Sequence, residues 1–406
     1  MKEKIILYKE KKDCCGCGAC ATICPKKAIT MRKDECGFEY PEIDESKCIK
    51  CGLCKDTCAY QNDLNMSSIK KCFAASSRDE KVLLNSASGG IFTSLAKSFL
   101  QDDGIVYGCA LEKKDNKLFP HQIRIDSEKD LAKIQGSKYV QSSMEDSYQQ
   151  VKQDLNQNKK VLYSGTPCQI ASLKRYLRRE YKNLYTIDII CHGTPSISFF
   201  QDYINFVEKK IKGKIINIVF RDKSEGWGTY LGRIDYINGK GRKKLMYFKS
   251  NASSYYNLFL KSEINRENCY SCKYASDKRI SDITIGDYWG IEKEHPEYLL
   301  ENGGLLDSKK GISCIMVNTL KGEEFLENYK NQFSLSESNF EKISKENKQL
   351  KMPSTYSKDR SRIFKLYKSG GYKAVDKWFL DKKGIKKYLL CFYNRLPRNI
   401  QKLIKR

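Results

Sequence analysis

No run in the 406 residues approaches the 18 or so consecutive apolar positions that a membrane-spanning helix needs. The amino end, Met1 to Lys4 followed by four apolar residues, is too short for a secretory signal, so the expected location is cytoplasmic. Histidine is scarce: three in the whole chain leave few groups that change charge near neutral pH. No G-x-G-x-x-G follows a strand-like run, which argues against a Rossmann dinucleotide site. No C-x3-C-x2-C run is present, and radical S-adenosylmethionine chemistry is not expected. The chain is basic, with a formal charge of +25, but carries no recognised nucleic-acid motif, so no nucleic-acid partner is expected. With 40% apolar and 11% aromatic residues it is a folded globular chain, long enough for two or three domains.

Cysteine, by contrast, is abundant, and its 18 copies are patterned. Cys14, Cys17, Cys20 and Cys24 read C-x2-C-x2-C-x3-C and precede Pro25; Cys48, Cys51, Cys54 and Cys58 repeat the spacing, with Ala59 in place of the proline. Bacterial two-cluster ferredoxins hold a pair of 4Fe-4S cubes with this arrangement, the fourth cysteine of each run crossing to the other cube. The expected sets are Cys14, Cys17, Cys20 and Cys58 for the first cube, and Cys48, Cys51, Cys54 and Cys24 for the second. Zinc sites use cysteine pairs and need no third cysteine two residues on. Disulfides require an oxidising compartment, to which nothing points. Ile29–Met31 and Phe38–Pro41, around a turn at Asp34–Gly37, predict the small hairpin of that fold.

Past a polar linker at Asn62–Lys70, strand-like runs at Lys71–Ser76, Ile105–Leu111, Lys160–Ser164, Tyr185–Cys191 and Ile215–Arg221 alternate with helical patterns. These are Ser86–Leu100, Gln169–Tyr176 and Ile197–Ile211. That alternation predicts a mixed, largely parallel α/β sheet. Tyr230–Tyr236, Lys244–Lys249 and Ile280–Gly286 add a β-rich region. Gly165-Thr-Pro-Cys168 and Gly193-Thr-Pro-Ser196 both read as strand-to-helix junctions, with Thr166 and Thr194 as N-caps and Pro167 and Pro195 at the first helical position. Such helix starts attract anions. Cys168 and Cys191 lie beside these junctions, and Cys269 and Cys272 form a further C-x2-C. Together the four suffice for a third cube; a zinc half-site or buried thiols are the alternatives.

Ser86-Ala-Ser-Gly-Gly90, Lys138-Tyr-Val-Gln141, Gly165–Gln169, Cys191-His-Gly193, Phe220-Arg221 with Gly226-Trp227, Cys269–Cys272 and Gly286-Asp-Tyr-Trp-Gly290 occur in that order. With the ferredoxin segment they resemble the family of coenzyme F420 hydrogenase/dehydrogenase beta subunits over about residues 10–320. The resemblance implies an iron–sulfur flavoprotein in which a ferredoxin-type domain precedes an FAD-binding α/β domain, the third cube being held by Cys168, Cys191, Cys269 and Cys272. It implies flavin contacts from Ser86, Ser88, Gly89, Gly90, Lys138, Gly165 and Thr166. His192 is then the candidate proton donor, or else a histidine held by nearby backbone. Trp227 and Trp289 stack on a ring system or serve as core. Cys15, Cys36, Cys72, Cys109, Cys314 and Cys391 are read as structural.

The expected division is 1–65 for the ferredoxin unit, 66–155 and 156–330 for the two parts of the flavin domain, and 331–406 for a helical basic tail. From Lys382 to Arg406 that tail has nine Lys or Arg and no acid, a pattern suited to an anionic membrane surface or acidic partner, or to a solvated helix. The functional expectation is an oxidoreductase that passes electrons between clusters and a flavin-linked small-molecule acceptor, coenzyme F420 or an envelope-polysaccharide intermediate. A redox partner protein or ferredoxin supplies or receives them. The alternative is an electron-transfer subunit without its own substrate, docked to a larger redox complex.

Overall fold

The structure is a computed structural model that describes residues 4–384. The basic tail beyond Gly384, with Cys391 and the membrane contact expected of it, lies outside the described residues. Among these, no helix is long and apolar enough to cross a membrane.

The first 60 or so residues form the small cysteine-rich unit. Strands β1 (Ile29–Lys33) and β2 (Glu39–Ile43) pair antiparallel around the expected turn. The Asp34 carboxylate closes it by accepting the Cys36 and Phe38 N–H groups, both at 2.9 Å. Each cysteine run ends its loop on a glycine in the left-handed region, Gly18 (φ 74°) and Gly52 (φ 83°), from which a short helix starts. No side chain adopts that conformation as readily.

The remaining elements begin with β3 (Lys71–Ser77), α1 (Ile91–Gln101), β4 (Ile105–Lys114), β5 (Lys117–Ile125), β6 (Val161–Gly165), α2 (Pro167–Leu177), β7 (Leu184–Ile189) and α3 (Ile197–Ile211). Next come β8 (Gly213–Val219), β9 (Leu231–Asn238), β10 (Lys243–Lys249), β11 (Ile283–Asp287), β12 (Ser313–Val317), α4 (Leu320–Tyr329), β13 (Phe333–Ser338) and α5 (Arg360–Lys382). Eight strands make one mixed sheet in the order β13-β3-β12-β11-β7-β6-β4-β5. Its centre, β11-β7-β6-β4, is parallel; β3 runs the same way and β12, β13 and β5 run against it. Strands from both expected halves of the flavin domain therefore share one sheet. The central strands are covered on both faces, which is why Val161, Leu162 and Tyr163 are all fully buried.

Three readings of the sequence change. Ile215–Arg221 is not part of the parallel sheet: β8 joins β9 and β10 in a separate antiparallel sheet. Lys212 (φ 49°) turns the end of α3 directly into β8, so the chain never crosses back, and Ile215 and Ile218 pack with Phe199 and Phe200 of α3. Phe333–Ser338, placed in the helical tail, is the outer strand of the main sheet; its alternation of serines with Phe333 and Leu335 hides the strand pattern. Helix α3 starts at Ile197, because the Ser196 hydroxyl rather than Thr194 accepts the Phe199 N–H. At the first junction the expectation holds: Thr166 and Gln169 form a capping box and Pro167 opens α2.

Candidate functional site

Burial and mutual proximity divide the amino-terminal thiols into two sets. Cys14, Cys17, Cys20 and Cys58 lie within electrostatic reach of one another, while Cys54 interacts with Cys24 and Cys51. Cys58 thus lies near thiols of the first run and Cys24 near Cys54 of the second, while Cys20 and Cys54 also feel each other, so the two groups adjoin. Burial pushes the Cys14 thiol up to about 11, so without a cation that sulfur stays protonated. A donor set made only of sulfur, on loops turned by glycine, fits 4Fe-4S clusters. Cys51 is exposed, so the second set faces solvent.

Four more thiols meet 100 or more residues further along. Cys168 in the first turn of α2, Cys191 just past β7, and Cys269 and Cys272 on the loop before β11 line one small cavity, together with Cys15 and Cys17. Their sulfurs already receive contacts: the Gly193 N–H to Cys191 at 3.4 Å, the Thr166 hydroxyl to Cys168 at 3.2 Å, and the Tyr60 hydroxyl to Cys272 at 3.9 Å. Cys15, read as structural, is buried in hydrogen-bond contact with both Cys17 and Cys168. It bridges the first set and the third. The donor chemistry fits an iron–sulfur cluster here as well, with no room needed for a fifth ligand.

Next to this cavity lies a much larger one of about 810 Å³, at the carboxyl ends of β6, β7 and β11 where open sheets place ligands. Thr166, Gln169, Cys191, Gly193, Thr194 and Gln349 line both cavities. One wall therefore separates the third thiol set from the large cavity. Of the expected flavin contacts, Ser86, Ser88, Gly90, Lys138, Gly165 and Thr166 line it, as does His192. Gly89 does not. Its N–H donates to Ser313 Oγ (2.9 Å), and a Cβ there would fall 2.4 Å from the Ala75 carbonyl, so it is glycine to let the loop press against β3 and β12. Gly90 (φ 79°) starts α1 and aims the helix amides at the cavity. The Ser86 hydroxyl is committed to the Val82 carbonyl at 2.8 Å, and that of Ser88 to Ile312 at 3.0 Å, so both shape the loop.

Lys138 donates only to the carbonyls of Lys133 and Gln135, without a carboxylate, and burial pulls it down to about 8. Lys223, which the sequence reading missed, donates to Leu83 and Ser88 carbonyls at 2.6 and 2.5 Å and is pulled down to about 7. Lys138 lines the cavity and suits an anionic ligand, whereas Lys223 stands outside the lining, holds the loop and feels Asp287. The Gln122 Oε1, buried in the same wall, has no protein partner.

His192 does not sit as a free acid. Its Nε2 is 3.1 Å from the Phe259 carbonyl and its Nδ1 3.4 Å from Gln349 Nε2, and burial pulls its pKa down. The lowered pKa keeps the ring neutral near pH 7, and Nε2 is shared between the Phe259 carbonyl and the Ser262 hydroxyl at 3.0 Å. Trp227 and Trp289 stack on each other at 4.6 Å, and Tyr230 stacks on Trp289 at 5.5 Å. Trp289 and Tyr230 reach the cavity, while Trp227 lies behind. Asp287 anchors this wall, accepting from Trp227 Nε1 (2.7 Å) and Arg221 Nη1 (3.1 Å). The Phe220-Arg221 and Gly286-Asp motifs carried that signal without revealing that the two meet. Cys109, read as structural, also lines the cavity. Cys36, Cys72 and Cys314 are buried, as expected of structural thiols.

Three family patterns match successive parts of the chain. The carboxyl-terminal family pattern of the "Coenzyme F420 hydrogenase/dehydrogenase, beta subunit" matches residues 158–343, and its amino-terminal counterpart matches residues 72–148. A "4Fe-4S dicluster domain" matches residues 13–62. The chain is 25% identical over 342 residues to the coenzyme F420-dependent sulfite reductase of Methanocaldococcus jannaschii, covering 82% of this chain and 48% of that protein. It is 22% identical over 203 residues to the F subunit of the F(420)H(2) dehydrogenase of Methanosarcina mazei, covering 47% of this chain and 56% of that one. It thus spans about half the length of these two relatives. An uncharacterised M. jannaschii protein is 26% identical over 327 residues, 71% of this chain and 83% of its own. Among solved structures, the F420-reducing [NiFe] hydrogenase complex of Methanosarcina barkeri contains a chain with a TM-score of 0.43 and 17% identity, covering 79% of this chain and 95% of that one.

Proposed function

The chain belongs to the family of coenzyme F420 hydrogenase/dehydrogenase beta subunits, and from that premise we propose a flavin-dependent iron–sulfur oxidoreductase with three cubes and one FAD. Cys14, Cys17, Cys20 and Cys58 would hold the first cube, Cys48, Cys51, Cys54 and Cys24 the second, and Cys168, Cys191, Cys269 and Cys272 the third. The large cavity would hold the flavin. Bound there, cubes supply one-electron steps and a flavin converts pairs of them into hydride chemistry. The observation that carries this reading is the shared wall: six residues touch both the third thiol set and the cavity.

The chain's own groups divide the work. The α1 amides and Lys138 bind an anionic cofactor segment, and Lys223 pins the Ser86–Gly90 loop by its carbonyls. Trp289 and Tyr230 offer a flat apolar wall to a ring, backed by Trp227, which Asp287 holds through its indole N–H. His192, with Gln349, fixes the partition and keeps water from it. Cys51 is exposed, as are Lys26, Lys27 and Lys55 of the same unit, and that basic charge suits an acidic redox partner. The acceptor is a small molecule of the coenzyme F420 class or an envelope-polysaccharide intermediate. A second reading, an electron-transfer subunit without its own substrate, is favoured by the relative whose name makes it a subunit.

Anaerobic purification followed by iron, sulfide and flavin analysis tests the scheme: about twelve irons and one FAD per chain are expected. About eight irons remove the third cube; clusters without flavin, with a co-purifying partner, favour the second reading.

The pH dependence follows from Lys138, whose burial favours the neutral amine. An anion bound beside it favours the ammonium, so binding above pH 8 takes up a proton. FAD affinity is therefore expected to fall as pH rises from about 8 to 10, and a Lys138→Met variant to bind weakly with that slope gone. Flavin fluorescence titration at several pH values reads both; equal slopes in the two proteins would remove Lys138 from the site.

A further inference from the structure

Arg266 is 1% exposed, and among the described residues no carboxylate pairs with it. Its guanidinium lies within the ferredoxin unit while its backbone belongs to the third thiol set. Nε donates to the Cys14 carbonyl (2.8 Å), and Nη2 to the Glu39 carbonyl (2.7 Å), with Cys14 Sγ 3.9 Å away. The plane covers the Tyr40 ring at 4.1 Å. The Arg266 N–H donates to Thr194 and its carbonyl accepts from the Cys269 N–H, at 2.9 and 3.0 Å. Nη1 is buried without any partner, and a Cβ on Gly16 would fall 2.6 Å from it.

A buried guanidinium with carbonyl partners alone is costly to keep unless a counter-charge stands close by. The Cys14–Gly16 loop offers one only when its thiolates carry a cube, whose net charge is negative and grows by one on reduction. We propose that Arg266 is a positioning residue that raises the reduction potential of the first cube above that of the second and so directs electrons toward the third thiol set. A fixed positive charge stabilises the more negative, reduced form more than the oxidised one. Among the described residues the other buried cations, Arg221, Arg279 and Arg360, bond to Asp287, Asp188 and the Asn265 carbonyl, away from the second set around exposed Cys51. Gly16 is the companion feature, since any side chain there would displace the guanidinium. The same arginine locks the ferredoxin unit to the loop that bears Cys269, so docking and tuning are one contact.

This inference rests on Cys14 being a ligand of the first cube. The test is a dye-mediated redox titration of the full chain, purified without oxygen and followed by electron paramagnetic resonance. In Arg266→Gln one cluster is expected to lose at least about tenfold in its reduced-to-oxidised ratio at fixed potential, about 59 mV for one electron, with the others unmoved. Arg266→Lys should recover part of the shift. Full iron content with every potential unmoved overturns the proposal and leaves the cluster assignment standing; wild-type protein with fewer than about eight irons fails that assignment instead. Should Arg266→Gln lose its iron, wild-type protein grown on arginine labelled with ¹⁵N in the guanidinium decides. A ¹⁵N hyperfine coupling on a reduced cluster, absent in Arg266→Lys, is expected, and no such coupling overturns the proposal.

Discussion

A Cys191→Ser variant is expected to hold about eight irons instead of about twelve, to keep its flavin, and to lose at least about 100-fold in the rate at which external one-electron donors reduce that flavin. Cys191 follows β7 directly and lines both cavities, so its sulfur is the donor nearest the shared wall. A serine oxygen is harder and shorter than a thiolate and matches iron–sulfur chemistry poorly. Cys17 of the first set also lines the small cavity, but Cys191 belongs to neither ferredoxin set, so both should load normally. Cys72→Ser is the control: this buried thiol of β3 has no place in any set and should leave the iron count unchanged. Iron and sulfide analysis with stopped-flow flavin reduction reads both results. An undiminished iron count and unchanged kinetics in Cys191→Ser would sink the third cube and the relay with it.

What was legible beforehand follows local physics. The two cysteine runs needed no structure, because iron–sulfur loops are short and their ligand spacing is covalent. The strand-helix junction at Thr166-Pro167 was equally local, a cap and a proline. The second junction misled because two hydroxyls compete there, and Ser196 wins by reaching the Phe199 N–H. Lys223, Gln349 and Arg266 were invisible for a different reason. Each acts on groups more than 130 residues away, Lys223 on Ser88, Gln349 on His192 and Arg266 on Cys14, and no periodicity encodes such pairings. β8 failed on topology: its composition suits either sheet, and only the abrupt turn at Lys212 denies it a crossover. Cys15 was dismissed for standing outside the spacing rule, yet its contact with Cys168 is set by how the two units dock. The candidate thiols were thus readable from residue order, while the buried groups that contact them across the two units were not.

Arg279→Met is expected to be the most damaging single change outside the ligands, costing about 3–5 kcal/mol and lowering the melting temperature by roughly 10 °C. Arg279 is 2% exposed and Asp188, on the central strand β7, is fully buried; they meet at 3.1 Å. The guanidinium also donates to Thr284 Oγ1 (3.0 Å) and to the Tyr274 carbonyl (3.2 Å), tying the Cys272 loop to the sheet. Methionine fills much of the volume but leaves the Asp188 carboxylate buried without its paired cation, Lys174 acting on it only at a distance, and its Oδ2 already lacks a partner. Most of the loss should therefore come from the stranded charge and not from the lost bonds. Adding Asp188→Asn separates the two: the double variant should be more stable than Arg279→Met alone by at least about 1 kcal/mol. If the second substitution instead adds its own full cost, the pair is not coupled. Denaturant unfolding of all four proteins, each checked for iron content, distinguishes these outcomes. Arg279 also lines the third thiol cavity, so the single variant should lose third-site iron in parallel with stability, whereas a purely electrostatic defect, once repaired by Asp188→Asn, would restore both together.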